Sequence, residues 1–146
     1  MKRVKIKVNN KQTSPDGSKD VVSYEGKGDY KFKNGKHYLI YNESNKGLEE
    51  VKTILRLDES KNNILLKRAQ PNEMRQIFDE NNKCEFKYNL GTHKMIFITD
   101  TKSVEIDLND KKGKIKIKYD LLQGEQVFTS NNLKVEYRFI DKEWQI

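Results

Sequence analysis

Short runs in which apolar and polar residues alternate recur about every ten residues along this chain, and a turn signal closes each of them. Val4, Ile6 and Val8 alternate with Lys5 and Lys7; Ile115, Ile117 and Tyr119 alternate with Lys114, Lys116 and Lys118. Asn34-Gly35, Asn62-Asn63, Asn81-Asn82 and Lys112-Gly113 mark turns between such runs. This rhythm demands an all-β fold. So many strands in 146 residues must hide their edges, and closing an antiparallel sheet into a barrel removes the edges altogether. The expectation is one barrel domain over residues 1–146, of about ten strands and with little or no helix.

Strands are expected over residues 3–9, 20–33, 36–43, 51–57, 64–68, 75–79, 83–89, 94–100, 103–108, 114–122 and 133–140. Residues 46–52 and 120–128 have room for one short helical turn each. Asn-Gly at 34–35 is the strongest short-range hairpin signal, because both turn positions need positive φ. It pairs Phe32 with His37, Tyr30 with Leu39 and Gly28 with Tyr41, and places Val22, Tyr24, Gly26 and Glu43 on the same inward face. A second hairpin joins 103–108 to 114–119. Pairing Leu108 with Ile115 there sets Asp107 against Lys116 and Glu105 against Lys118 on the outer face.

Only 34% of the residues are apolar and 35% are charged, so the core is narrow and the surface ionic, as in a barrel whose strands turn one side to water. The formal charge of +7 attracts anions without naming one. A single cysteine, Cys84, excludes an internal disulfide and fits a reducing compartment. Met1-Lys2-Arg3-Val4 runs straight into a strand pattern, and no apolar run reaches membrane-spanning length. A cytoplasmic protein with no membrane partner is therefore expected.

Several stretches carry a family likeness: Tyr38-Leu39-Ile40-Tyr41-Asn42-Glu43, Thr53-Ile54-Leu55, Ile64-x-Leu66-x-Arg68, Met74 to Phe78, Phe86 to Gly91, Thr99, and Gly113 to Leu121. In this order, across nearly the whole chain, they resemble the YwiB-like family of uncharacterised bacterial barrels, which is placed with the lipocalin/calycin type of fold. The chain departs from that pattern at Gln70, where a glycine is usual, and at Phe86, Tyr88 and Asn89. The resemblance implies a small antiparallel barrel; it supplies no activity and no catalytic residue.

Strand phase singles out one constellation. Glu43 shares its face with Tyr41, Tyr30 and Tyr24, and Arg68 shares its face with Ile64 and Leu66. If both faces line the interior, a carboxylate and a guanidinium are buried among tyrosines, with His37 and Tyr119 as further lining residues. Buried charges require partners, so Glu43 and Arg68 are expected to pair. The pair serves either as an anchor for a ligand in the cavity or as a salt bridge closing one end of the barrel. His37 and His93 are too few and too isolated for a metal site, and no cofactor is expected. Cys84 reads as a packed thiol, and no Ser-His-Asp order, HExxH or CxxC occurs, so no enzyme is expected.

Lys5, Lys7, Lys31, Lys33 and Lys36 have no evident acidic partners, and Tyr38 lies beside Lys31 on the outward face. That arrangement suits a nucleic-acid-binding module, with a solvated barrel wall as the plainer account. The favoured reading is a barrel that binds a small, partly apolar or anionic ligand. The alternatives are the nucleic-acid module and a protein-interaction scaffold without a ligand.

Overall fold

Asn34 and Gly35 have φ of 54° and 77°, as the two-residue turn requires, and the strands they join pair in the expected register: Phe32 with His37, Tyr30 with Leu39, Gly28 with Tyr41. The computed structural model describes residues 1–43, 51–69, 73–90 and 92–140, with residues 89 and 90 described in backbone only. Ten strands follow one another: β1 (Lys2–Thr13), β2 (Lys19–Lys33), β3 (Lys36–Glu43), β4 (Val51–Asp58), β5 (Asn63–Arg68), β6 (Met74–Asp79), β7 (Lys83–Leu90), β8 (His93–Leu108), β9 (Lys112–Gln123) and β10 (Gln126–Phe139). Each pairs antiparallel with its neighbours in sequence, and β1 pairs with β10 to close the barrel. Among the described residues there is no helix.

Some expectations change. The runs 94–100 and 103–108 are one strand, β8, whose register shifts between Thr101 and Ser103. The β6–β7 turn docks there: Asn81 N–H donates to the Thr101 carbonyl, and Thr101 N–H to the Asn82 carbonyl. A bulge absorbs the extra residue without breaking the strand. Residues 120–128 hold the β9–β10 turn rather than a helical turn, and β10 begins seven residues before 133. Its first half is polar, and that hid it: Asn131 is nevertheless buried, donating to the Thr129 hydroxyl at 2.9 Å. Of the helical turn expected at 46–52, residues 46–50 lie outside the described residues, and Val51 and Lys52 belong to β4.

The β8–β9 register differs by two residues from the expected one. Ile106, not Leu108, faces Ile115, so Glu105 faces Lys116 and Asp107 faces Lys114. The turn is Asn109 to Lys111, where the Asn109 side chain accepts from Lys111 N–H at 2.8 Å and Lys112 N–H at 3.0 Å. Lys112-Gly113 is therefore strand, not turn. A shift of two leaves every side chain on its face, so the inward set Val104, Ile106, Ile115 and Ile117 stands.

The interior is a continuous apolar cluster that includes Val4, Ile6, Leu39, Leu57, Phe78 and Tyr137. Phe78 is fully buried, its ring 4.9 Å from that of Tyr119. Gly28 lies at an inward position where β1, β2 and β3 crowd together. Val22 and Phe32 share that inward phase but sit near opposite ends of β2 and are 40% and 60% exposed.

The β4–β5 turn is held by Asp58, which accepts from the Ser60 hydroxyl at 2.6 Å and from Lys61 N–H at 3.2 Å. The Ser60 bond, with help from the Lys61 amide and the charges of Lys36 and Lys61, holds this carboxyl below its usual value against the opposing effect of burial. The stabilisation is complete above the unfolded-state pKa near 3.9 and is lost as pH falls through the lower folded value. Urea midpoints measured from pH 5 to pH 2 are expected to fall less steeply for Asp58→Asn than for the parent chain. Identical acid profiles would refute this role.

Candidate functional site

The barrel has two unlike ends. At one lie the β2–β3, β4–β5, β6–β7 and β8–β9 turns; at the other lie the β1–β2 and β9–β10 turns and the last residues of β3 and β5. His37 stands at the first end and Glu43 at the second, six residues along β3, or about 20 Å. The sequence reading placed both in one cavity; the structure separates them.

At the His37 end, the Tyr30 hydroxyl lies 2.6 Å from His37 Nδ1, and His37 Nε2 lies 2.7 Å from Glu59 Oε1. An ionised carboxylate only accepts, so Nε2 carries the proton; in the neutral ring Nδ1 then accepts from the Tyr30 hydroxyl. Tyr30 stacks on Tyr137 at 5.8 Å and meets the edge of Phe139 at 5.0 Å. Burial first, then the Glu59 charge, pushes the Tyr30 phenol up, away from the phenolate a nucleophile would need. The three side chains tie β2, β3 and the β4–β5 turn together at the barrel rim. Beside it is a shallow pocket of about 470 Å³ lined by Met1, Lys2, Tyr30, Lys31, Phe32 and His37.

At the other end Arg68 meets Glu43, with Nη2 3.1 Å from Oε2, and the two side chains are 31% and 19% exposed. The Tyr41 hydroxyl donates to Glu43 Oε1 at 3.2 Å, and Tyr24 stacks on Tyr41 at 5.7 Å. Gly26 makes room for that stack, because a Cβ there would collide with the Tyr24 hydroxyl. Burial above all, then the Glu43 charge, raises the Tyr41 phenol well above its usual value. Tyr119 is also raised by burial, against lowering by a hydrogen bond from Asn10 and by the Arg68 charge. Arg68, Glu43, Tyr41, Tyr24 and Tyr119 thus share one end; Tyr30 and His37 do not.

Polar side chains that the sequence reading passed over complete this end. Asn10 donates to Asn131 Oδ1 at 3.4 Å, and Gln76 donates to the Thr99 hydroxyl at 2.9 Å. Among the described residues, Asn10 Oδ1, Arg68 Nε and Thr101 Oγ1 are buried and find no hydrogen-bond partner; the same holds for Arg56 Nε, which is in outward phase on β4. The alternation of Val4, Ile6 and Val8 already places Asn10 inward, so that signal was present. Val22, opposite Asn10, and Phe128, 5.6 Å from the Phe97 ring, supply exposed apolar surface near the same end.

The outward lysines stand in different charge settings. Lys31 Nζ lies 5.3 Å from the centre of the Tyr38 ring, and Lys33 faces Lys36 at the β2–β3 turn. Lys7 does have acidic neighbours, since it stands between Glu25 and Glu136. Lys5 stands between Lys27 and Arg138. Cys84 is a free, half-buried thiol that burial and the nearby Asp79 charge push up. Among the described residues no three His, Cys, Asp or Glu side chains gather as a metal site.

A closed ten-stranded antiparallel meander around an apolar core defines a β-barrel protein. The chain belongs to the family described as a domain of unknown function, DUF1934, which matches residues 6–135. It is similar to the uncharacterized beta-barrel protein YwiB of Bacillus subtilis (strain 168), with 33% identity over 98 residues, 67% of each chain. The crystal structure of the ywiB protein from Bacillus subtilis matches with a TM-score of 0.84 and 28% identity, covering 96% of this chain and 93% of that one. The family resemblance and the barrel expected from the residues are both borne out.

Proposed function

We propose that the barrel binds a small, partly apolar molecule bearing a carboxylate or similar acceptor, at the end where Arg68 and Glu43 meet. The observation that supports this reading is the set of buried atoms left unpaired among the described residues: Arg68 Nε needs an acceptor, Asn10 Oδ1 needs a donor, and the Thr101 hydroxyl takes either. Leaving such atoms unpaired costs about 1–3 kcal/mol each, and a ligand offering one acceptor and one donor removes much of that cost. Glu43 holds one arm of the guanidinium and leaves Nε directed elsewhere. Val22 and Phe128 then cover the apolar part of the molecule.

Native mass spectrometry on the gently purified protein tests this. The expected spectrum shows a retained adduct of small-molecule size, lost in Arg68→Ala while circular dichroism stays that of the folded barrel. A clean apo mass in the parent chain, or retention of the adduct in the variant, would overturn the reading and leave the Arg68–Glu43 pair as a closing salt bridge.

A further inference from the structure

Cross-strand register sorts the outward charges of β2, β1, β10 and β9 into rows. One row reads Glu25–Lys7–Glu136–Lys114 and continues to Asp107 on β8, alternating in sign throughout. Two residues along the strands, the next row reads Lys27–Lys5–Arg138–Lys112, four cations directly opposite one another. Beyond it Arg3 is again paired, with Asp29 at 3.0 Å. The uncompensated row thus lies between two compensated ones. All four of its side chains are exposed, and none forms an ion pair among the described residues. Like charges directly opposite on neighbouring strands oppose folding, so the row is a local cost that solvation of a barrel wall does not require.

The row is concave. Lys5, Lys27, Lys112 and Arg138 all line a groove of about 690 Å³, which also takes in Lys7, Lys114, Glu25, Asp107 and Glu136. Six cations there face three carboxylates. With strands about 4.8 Å apart, the four cations span roughly 14 Å, running across the strands. The neighbouring row, compensated within itself, leaves the four-cation line as the uncompensated positive stretch of the groove.

We propose that this groove binds the phosphodiester backbone of single-stranded nucleic acid, laid across β2, β1, β10 and β9. A linear chain of single negative charges complements a linear row of cations. Among the described residues the aromatic ring that lines it is Tyr137, which is 3% exposed and offers the bases no face to stack on. Binding is therefore tolerant of sequence and steep in salt.

The test is fluorescence anisotropy of a labelled oligo(dT) of about 12 nucleotides, titrated with the full chain over a series of salt concentrations. Neutralising four phosphates predicts that log affinity falls with log salt with a slope of about −2.8, or −0.7 per contact. In Lys5→Gln/Arg138→Gln the slope is expected to fall to about −1.4, with affinity lost most at low salt. The control Lys31→Gln/Lys33→Gln/Lys36→Gln removes more charge from outside the groove and is expected to leave the slope unchanged. All five substituted side chains are half-buried or exposed and in outward phase, so both variants are expected to fold, with circular dichroism as the check. Absence of binding at low salt would overturn the proposal. So would an equal loss in the control variant, or stronger competition from inorganic polyphosphate than from unlabelled oligo(dT) of equal charge.

Discussion

Gly28→Ala is expected to cost about 3 kcal/mol of stability, at the upper end of what an added core methyl usually costs. A Cβ at Gly28 would stand 2.6 Å from the Ile40 carbonyl oxygen, 2.6 Å from Ile6 Cδ1 and 3.0 Å from Tyr41 Cβ. The first of these is backbone in the adjacent strand, and Ile6 is 1% exposed, so neither can yield without moving β1 or β3. Small domains are stable by only about 5–15 kcal/mol, so the loss is a large share of the total. Gly35→Ala is the contrast: nothing lies within 4 Å of its would-be Cβ, and only the φ of 77° opposes the methyl. That strain is worth about 1–2 kcal/mol. Urea denaturation is expected to rank the two variants with Gly28→Ala clearly lower. Equal midpoints would mean that the barrel wall is looser at Gly28 than its contacts indicate.

Alkaline unfolding provides the second large effect. Tyr41, Tyr119 and Tyr137 are 4%, 8% and 3% exposed, and burial is the leading cause that raises each phenol. A raised folded-state pKa means that the protonated phenol stabilises the fold fully below the unfolded value near 10. The stabilisation is lost as pH rises through the folded values. Each phenol contributes a slope of at most about 1.4 kcal/mol per pH unit in that window. Lysines titrate in the same range, and comparison with Tyr119→Phe cancels them. The variant is expected to lose stability between pH 10 and pH 11 less steeply than the parent, by about one phenol's share. A superimposable pair of pH profiles would show that Tyr119 is not protected from ionisation by the fold.

Much of this was legible in the residues because a strand repeats every two positions and a barrel has one inside. That period set the inward face of Val4, Ile6 and Val8, and of Ile115, Ile117 and Tyr119, all of which the structure places as expected. The Asn-Gly turn fixed the β2–β3 register, since only a two-residue loop fits it. The pairing of Glu43 with Arg68 followed from the cost of an unpaired buried charge.

The period is silent about position along the barrel axis. It put His37 and Glu43 on one face but could not show that about 20 Å of strand divides them. It could not resolve a register shift of two in β8–β9 either, because such a shift moves no side chain to the other face; the Asn109 side-chain bonds settled that. The row Lys27–Lys5–Arg138–Lys112 was invisible for the same reason. Each of those residues has the unremarkable outward phase of a solvated strand, and β1 and β10 lie at opposite ends of the chain. Local alternation therefore specified which side chains point in and which point out. Closure of the barrel specified who stands beside whom, because cross-strand neighbours are set by hydrogen-bond register between segments far apart in sequence.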